Sequence, residues 1–251
     1  MFNPLNYPFL ILAVSLPAFW IFAWTGASFR KIQQQEDNRD DFLFVLGGTL
    51  TLLGLIIGFT FSMAVSRYDQ RKTYEEQEAN AIDTEYLRAD FLPTADAAEV
   101  RALLKSYLAQ RILDYQSRDA RQLREPDVRT TRLQTEMWSA VEAPAAAQPT
   151  PVQSLVVSGM NDVLTSQENT QAAWRNRIPP EAWALLITIA IFCNLLLGYS
   201  AHRRTAFLFV VLPIALSVSL FLIADIDSPH GGFIEVQPQN LESLLESLHS
   251  R

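Results

Sequence analysis

The stretch FLFVLGGTLTLLGLIIGFTFSMAVS, Phe42 to Ser66, runs for 25 residues without an Asp, Glu, Lys or Arg. As an α-helix rising about 1.5 Å per residue it is roughly 38 Å long, more than the bilayer hydrocarbon core of about 30 Å. Such a helix must tilt or emerge into water at one end. Its residues fall into two rows at helical spacing. Gly54, Gly58 and Ser62, with Ser66, form a small row that includes one Gly-x-x-x-Gly. Thr51, Leu55 and Phe59 form a second row beside it. Nothing between Ser66 and Phe91 breaks a helix, so the span is predicted to continue outward for several turns until Pro93 stops the chain.

Three further runs lack charge: Met1 to Phe29, Ala182 to Ala201 and Thr205 to Ala224. Together the four hold 94 of the 251 residues, so all 47 charged side chains crowd into the other 157. Soluble chains do not segregate apolar runs of this length, and the pattern predicts an all-α integral membrane protein with four transmembrane helices. The first run lacks the basic start and short apolar core of a signal peptide and reads as a retained span. Trp20 and Trp24 suit an interfacial aromatic belt, and Pro8 and Pro17 are expected to bend the helix. His202, Arg203 and Arg204 alone join the third and fourth runs, which predicts a tight antiparallel hairpin over 181–224.

Between the second and third spans, 67–180 carries 14 basic and 17 acidic residues and is expected to form a helical, water-facing domain inserted between them. Val100, Leu103, Leu104, Tyr107, Leu108, Ile112 and Tyr115 recur at helical spacing within a helix expected over 97–122. A shorter helix is expected over 128–141, a Pro-bearing spacer over 143–151, and a third helix over 152–176. Glu75, Glu76, Glu78, Asp83 and Glu85 read as a solvated face pairing with Arg71, Lys72 and Arg88. Asn80, poorly suited to a helix interior, reads as a buried interhelical hydrogen bond. The acidic tail, 225–251, offers a turn at Pro229-His230-Gly231-Gly232, a short strand or extended arm over 233–236, and a last amphipathic turn or two at Leu241, Leu244, Leu245 and Leu248.

Several function classes are excluded or lack support. A net charge of −7 with no basic stripe argues against nucleic acid. Cys193 is the only cysteine, and His202, His230 and His249 match no metal-ligand spacing. No catalytic set or phosphate loop is legible, so neither an enzyme nor a cofactor is expected. The spans hold no charged residue, which argues against a proton-coupled carrier.

The second span and its exit, Leu55-Ile56-Ile57-Gly58-Phe59-Thr60-Phe61-Ser62-Met63-Ala64-Val65-Ser66-Arg67-Tyr68, resemble the pore-helix signature of bestrophins. More of the chain resembles the bacterial bestrophin-like domain family, whose function is largely unassigned. The matching pieces are Glu78-Ala79-Asn80-Ala81, Tyr86-Leu87-Arg88 before Leu92-Pro93, Leu103 to Arg111, and Asp227-Ser228-Pro229 with Gly232. In order, they cover most of 42–240. The resemblance implies a homo-oligomeric ring in a lipid bilayer, permeable to small anions, with the second span lining the path. Carried over residue by residue, the constriction falls on Thr51, Leu55 and Phe59. Thr51 departs from the pattern by placing a hydroxyl where a large apolar residue is usual. Bestrophins bind calcium after their last span, but Asp225 and Asp227 offer too few oxygens here and no calcium site is expected.

Alternatives stay open at this level. The row of Gly54, Gly58 and Ser62 suits close packing against a neighbouring copy, or ordinary helix packing without self-association. Arg67 suits a pore mouth, or an interfacial side chain that snorkels to headgroups. Asp225 and Asp227 suit a structural turn, or reception of a neighbour's basic and aromatic residues. Arg30, Lys31, Arg39, Arg203 and Arg204 on the short-loop face match Arg67, Arg71, Lys72, Arg175 and Arg177 on the domain face in number. The short loops lean inward by the positive-inside rule, whereas the family implies that the domain and both termini are cytoplasmic, in a bacterial inner membrane. The whole chain reads as a possible channel or as a non-conducting membrane anchor for an interaction domain.

Overall fold

A computed structural model describes residues 7–32, 39–117, 128–200 and 208–250. They form α1 (Pro8–Ile32), α2 (Arg39–Arg88), a 3-10 turn (Ala89–Phe91), α3 (Thr94–Gln116), α4 (Val128–Ala147), α5 (Pro151–Arg175), α6 (Pro180–Ser200), α7 (Leu208–Asp227) and α8 (Gln239–Ser250). The expected all-α class holds, and α1, α2, α6 and α7 are long and apolar enough to cross a membrane. The connection proposed at 202–204 lies outside the described residues.

The chain divides into two compact units, 1–66 with 177–235, and 67–176 with 236–251. α2 belongs to both. As predicted, it crosses from its apolar into its charged half without a break. Its end differs in detail from expectation: helix gives way to the 3-10 turn after Arg88, and Pro93 stands as the N-cap of α3.

In the first unit, α1 packs along α6 and α7. Phe19, Ala23, Leu186, Ala190, Cys193, Leu197, Leu220 and Ile223 fill the seam. Pro8 opens α1, where its missing N–H costs nothing, and Pro17 lies within the helix. Trp20 and Trp24 face outward and, with Pro17, Ile21 and Phe209, line an open apolar groove.

The second unit has its core between the charged half of α2, α3, α4, α5 and α8. Ile82, Val100, Leu104, Tyr107, Leu108, Met137, Val156, Met160, Leu241 and Leu248 lie within it. The structure corrects three boundaries. α3 ends at Gln116. The Pro-bearing spacer proposed over 143–151 is largely helix, because α4 continues through Pro144 to Ala147 on a run of alanines. Of the strand or extended arm expected over 233–236, no strand forms among the described residues, and the last amphipathic turns are a full helix of 12 residues, α8.

Candidate functional site

α2 buries a narrow stripe within the first unit. Leu46, Leu53 and Thr60 recur every seven residues, with Ala64 one turn on. A seven-residue period keeps contact with neighbours on one side of a long helix. The opposite side is open: Leu55 is 54% and Phe59 63% exposed, and Thr51, Gly54, Gly58 and Ser62 are exposed with them. The two rows are neighbours on the helix cylinder, roughly 60° apart at 3.6 residues per turn. The Thr51 hydroxyl donates to the Gly47 carbonyl at 2.9 Å. Its proton is therefore spent on the helix itself, and the side chain offers outward a methyl group and oxygen lone pairs.

Space around the glycines separates two roles that the sequence leaves mixed. A Cβ added at Gly54 or Gly58 would meet no atom within 4 Å. A Cβ at Gly26 would strike the Leu195 carbonyl, and one at Gly198 the Ala23 carbonyl. Close helix packing among the described residues therefore rests on Gly26 and Gly198, which the sequence reading missed, while none of the described residues fills the space beside Gly54 and Gly58. Arg67 is partly buried, and its Nε has no hydrogen-bond partner among the described residues.

Beyond Ser66 the expectation of a solvated acidic face is overturned. Arg71, Glu75, Glu78 and Glu85 are each at most 2% exposed, whereas Lys72 and Glu76 face water. Positions 71, 75, 78, 82 and 85 alternate steps of three and four, so these charges hold the places that apolar residues hold in a packed helix. Asn80, expected to be buried, is exposed instead.

Each buried carboxylate has its own surroundings. Glu78 pairs with Arg111 of α3 and accepts from the Tyr115 hydroxyl at 3.3 Å and the Thr170 hydroxyl at 3.1 Å. Arg111 also donates to Asp114 at 2.7 Å, and Asp114 accepts from Gln110 and Thr130, both at 2.8 Å. The guanidinium carbon lies 5.6 Å from the ring centres of both Tyr115 and Trp174. Burial opposes the Arg111 charge, but Glu78 foremost and Asp114 outweigh it and hold the group protonated. Burial also pushes the Tyr107 and Tyr115 hydroxyls upward. Glu75 caps α8, accepting from the Asn240 and Leu241 backbone N–H groups at 2.9 and 3.1 Å and from Asn240 Nδ2 at 2.6 Å. Burial raises its pKa above the ordinary carboxylate value, partly offset by these hydrogen bonds. Arg111 falls within the apolar stripe of Leu104, Leu108 and Ile112, a pattern that could have marked it as buried.

Asp225 and Asp227 form a structural turn within one chain. Asp225 accepts from the Phe233 and Ile234 N–H groups at 2.9 and 3.0 Å, and Gly232 leaves it room. Asp227 accepts from Arg177 Nε at 3.0 Å and the Ile178 N–H at 3.1 Å, which fixes the chain before α6. Among the described residues no three His, Cys, Asp or Glu side chains group as a metal site.

With this arrangement in view, comparison with known proteins is decisive for the family. A model of the bestrophin-like domain matches residues 13–241. The chain belongs to the bestrophin-like domain family. Solved structures of similar fold include a bacterial bestrophin homologue from Klebsiella pneumoniae, at TM-score 0.69 and 13% identity over 96% of this chain and 97% of that one. A tryptophan-to-alanine variant of such a homologue aligns at TM-score 0.69 and 12% identity over 97% of both chains. An isoleucine-to-threonine variant aligns at TM-score 0.65 and 14% identity over 96% and 97%. No curated protein matches. At these identities the likeness carries the fold and end-to-end coverage, while the bestrophin-like assignment itself rests on the family match.

Proposed function

We propose that copies of this bestrophin-like membrane protein assemble as a ring around a pathway permeable to small anions, lined by α2. Thr51, Leu55 and Phe59 face the axis, Gly54, Gly58 and Ser62 lie against the neighbouring copy, and Arg67 stands at the mouth. The observation that carries this reading is the open side of α2. A bilayer-length surface of small, hydroxyl and apolar residues is left uncovered by the other described residues, in the pattern that close association of membrane helices uses. The Phe59 and Leu55 girdle then gates by dewetting, softened one turn on by Thr51. The membrane is proposed to be a bacterial plasma membrane, with the helical domain and both termini in the cytoplasm.

Purified protein in planar bilayers is expected to show an anion-selective conductance that Phe59→Ala increases or re-selects, while native mass spectrometry in detergent shows a closed homo-oligomer. An intact ring that is silent in both forms would overturn the pathway. A stable monomer would overturn the assembly, and would favour a membrane-anchored interaction protein.

A further inference from the structure

Glu85 stands apart from the other buried carboxylates of α2. Its side chain is fully buried against α5, yet neither of its oxygens has a hydrogen-bond partner among the described residues. Glu75 and Glu78, equally buried, each accept three or more hydrogen bonds. The α5 residue facing Glu85 is Gly159, where an added Cβ would run into Glu85 Oε2 and Arg88 Nη1 and would meet Arg88 Cδ at 3.1 Å. The contact between the two helices thus closes over a carboxyl group with no space for a larger neighbour. Two charges act on Glu85. Arg88, on the same helix, favours the ionised form but also faces Asp162 of α5 at 3.9 Å, and Asp162 opposes ionisation.

We propose that Glu85 and the Gly159 turn of α5 form a proton-sensitive seam in the water-facing unit, tightest at low pH and progressively easier to open as rising pH favours the exposed, ionised carboxylate. An unpaired carboxylate in so dry a contact is costly, whereas the neutral acid is tolerated. Burial accordingly pushes the Glu85 pKa up to about 8, with Arg88 lowering it and Asp162 raising it. When the seam opens, water reaches Glu85 and restores the ordinary carboxylate value of about 4.3. Opening therefore releases a proton at any pH between about 4.5 and 8, and becomes up to about tenfold easier per pH unit across that window. Below the window the closed form keeps its full advantage. Above it the effect saturates.

Hydrogen exchange by mass spectrometry on the full chain in detergent tests this, with rates corrected for the intrinsic pH dependence of exchange. Between pH 5 and pH 8, amides over 155–165 of the native chain are expected to lose at least about tenfold more protection than those of Glu85→Gln. Amides of α3 should follow the same course in both. Glu85→Met supplies a second uncharged side chain should the amide fail to fold, and is expected to remove the same pH dependence. A purely structural Glu85 would shift protection by a constant factor. Parallel pH courses for the native chain and either variant, or a flat native course, would overturn the seam. Neither readout depends on whether the protein conducts.

Discussion

Gly26 of α1 and Gly198 of α6 are each closed over by the backbone of the helix that carries the other. The position a Gly26 Cβ would take lies 3.1 Å from the Tyr199 nitrogen, and that of Gly198 lies 3.0 Å from the Ala27 nitrogen. Backbone cannot retreat as a flexible side chain can. Gly26→Ala and Gly198→Ala are each expected to destabilise the first unit by about 1–3 kcal/mol, read as a lower unfolding temperature in detergent. Gly54→Ala and Gly58→Ala should leave that temperature unmoved and change only self-association, because none of the described residues fills those positions.

Arg111→Met should be among the most damaging single changes in the second unit. It leaves Glu78 and Asp114 charged, buried and without their shared cation, a loss of about 3–5 kcal/mol. Thermal unfolding followed through Trp174 fluorescence, 5.0 Å from Tyr115 in the same cluster, reports it.

Glu75→Ala removes the carboxylate that caps α8 from 165 residues away. Charge-assisted hydrogen bonds of this kind contribute about 1.5–3 kcal/mol. The variant is expected to be cut by proteases within 236–250 while the rest of the chain stays resistant, and Glu75→Gln, which keeps one acceptor oxygen, should fall between. The contact of Lys105 Nζ with the Leu248 carbonyl at 2.8 Å and the apolar packing of Leu244 and Leu248 would still hold the far end.

Asp225→Ala and Asp227→Ala should have separable effects despite being two residues apart. The first frees the amides of Phe233 and Ile234, the second that of Ile178 and the side chain of Arg177. Amide exchange is expected to rise over 231–234 in one and over 177–180 in the other, each by the equivalent of about 1–3 kcal/mol.

Thr51→Leu restores a large apolar side chain at one end of the proposed constriction. A smaller unitary conductance than that of the native protein is expected in planar bilayers, and an unchanged one would place Thr51 off the axis.

Four spans, the unbroken α2 and an all-helical insert were legible because charge segregation and the absence of helix breakers are written along the chain. The seam between α2 and its neighbours was not, because a run such as Glu75, Glu78 and Glu85 is ordinarily solvated. The seven-residue step from the buried Ala64 runs on through Arg71, Glu78 and Glu85, and following that register past Ser66 would have revealed it. The wrong placement of Asn80 came from weighing propensity without register. α4 persists through Pro144 because the alanines around it favour helix and the Pro144 carbonyl still accepts from Gln148 at 3.1 Å. Small residues announce close packing without saying against what, so Gly54 and Gly58 drew attention that, within the chain, belonged to Gly26 and Gly198.

The acidic tail gives the chain an order of completion. Asp225 and Asp227 tie the first unit to segments on both sides of α7, and α8 supplies Leu241 and Leu248 to the core of the second. Neither unit can reach its final form until residues 225–250 have left the ribosome, when Ile178 and Glu75 have long been waiting for partners. A chain cut short before residue 225 would be unfinished in both places at once.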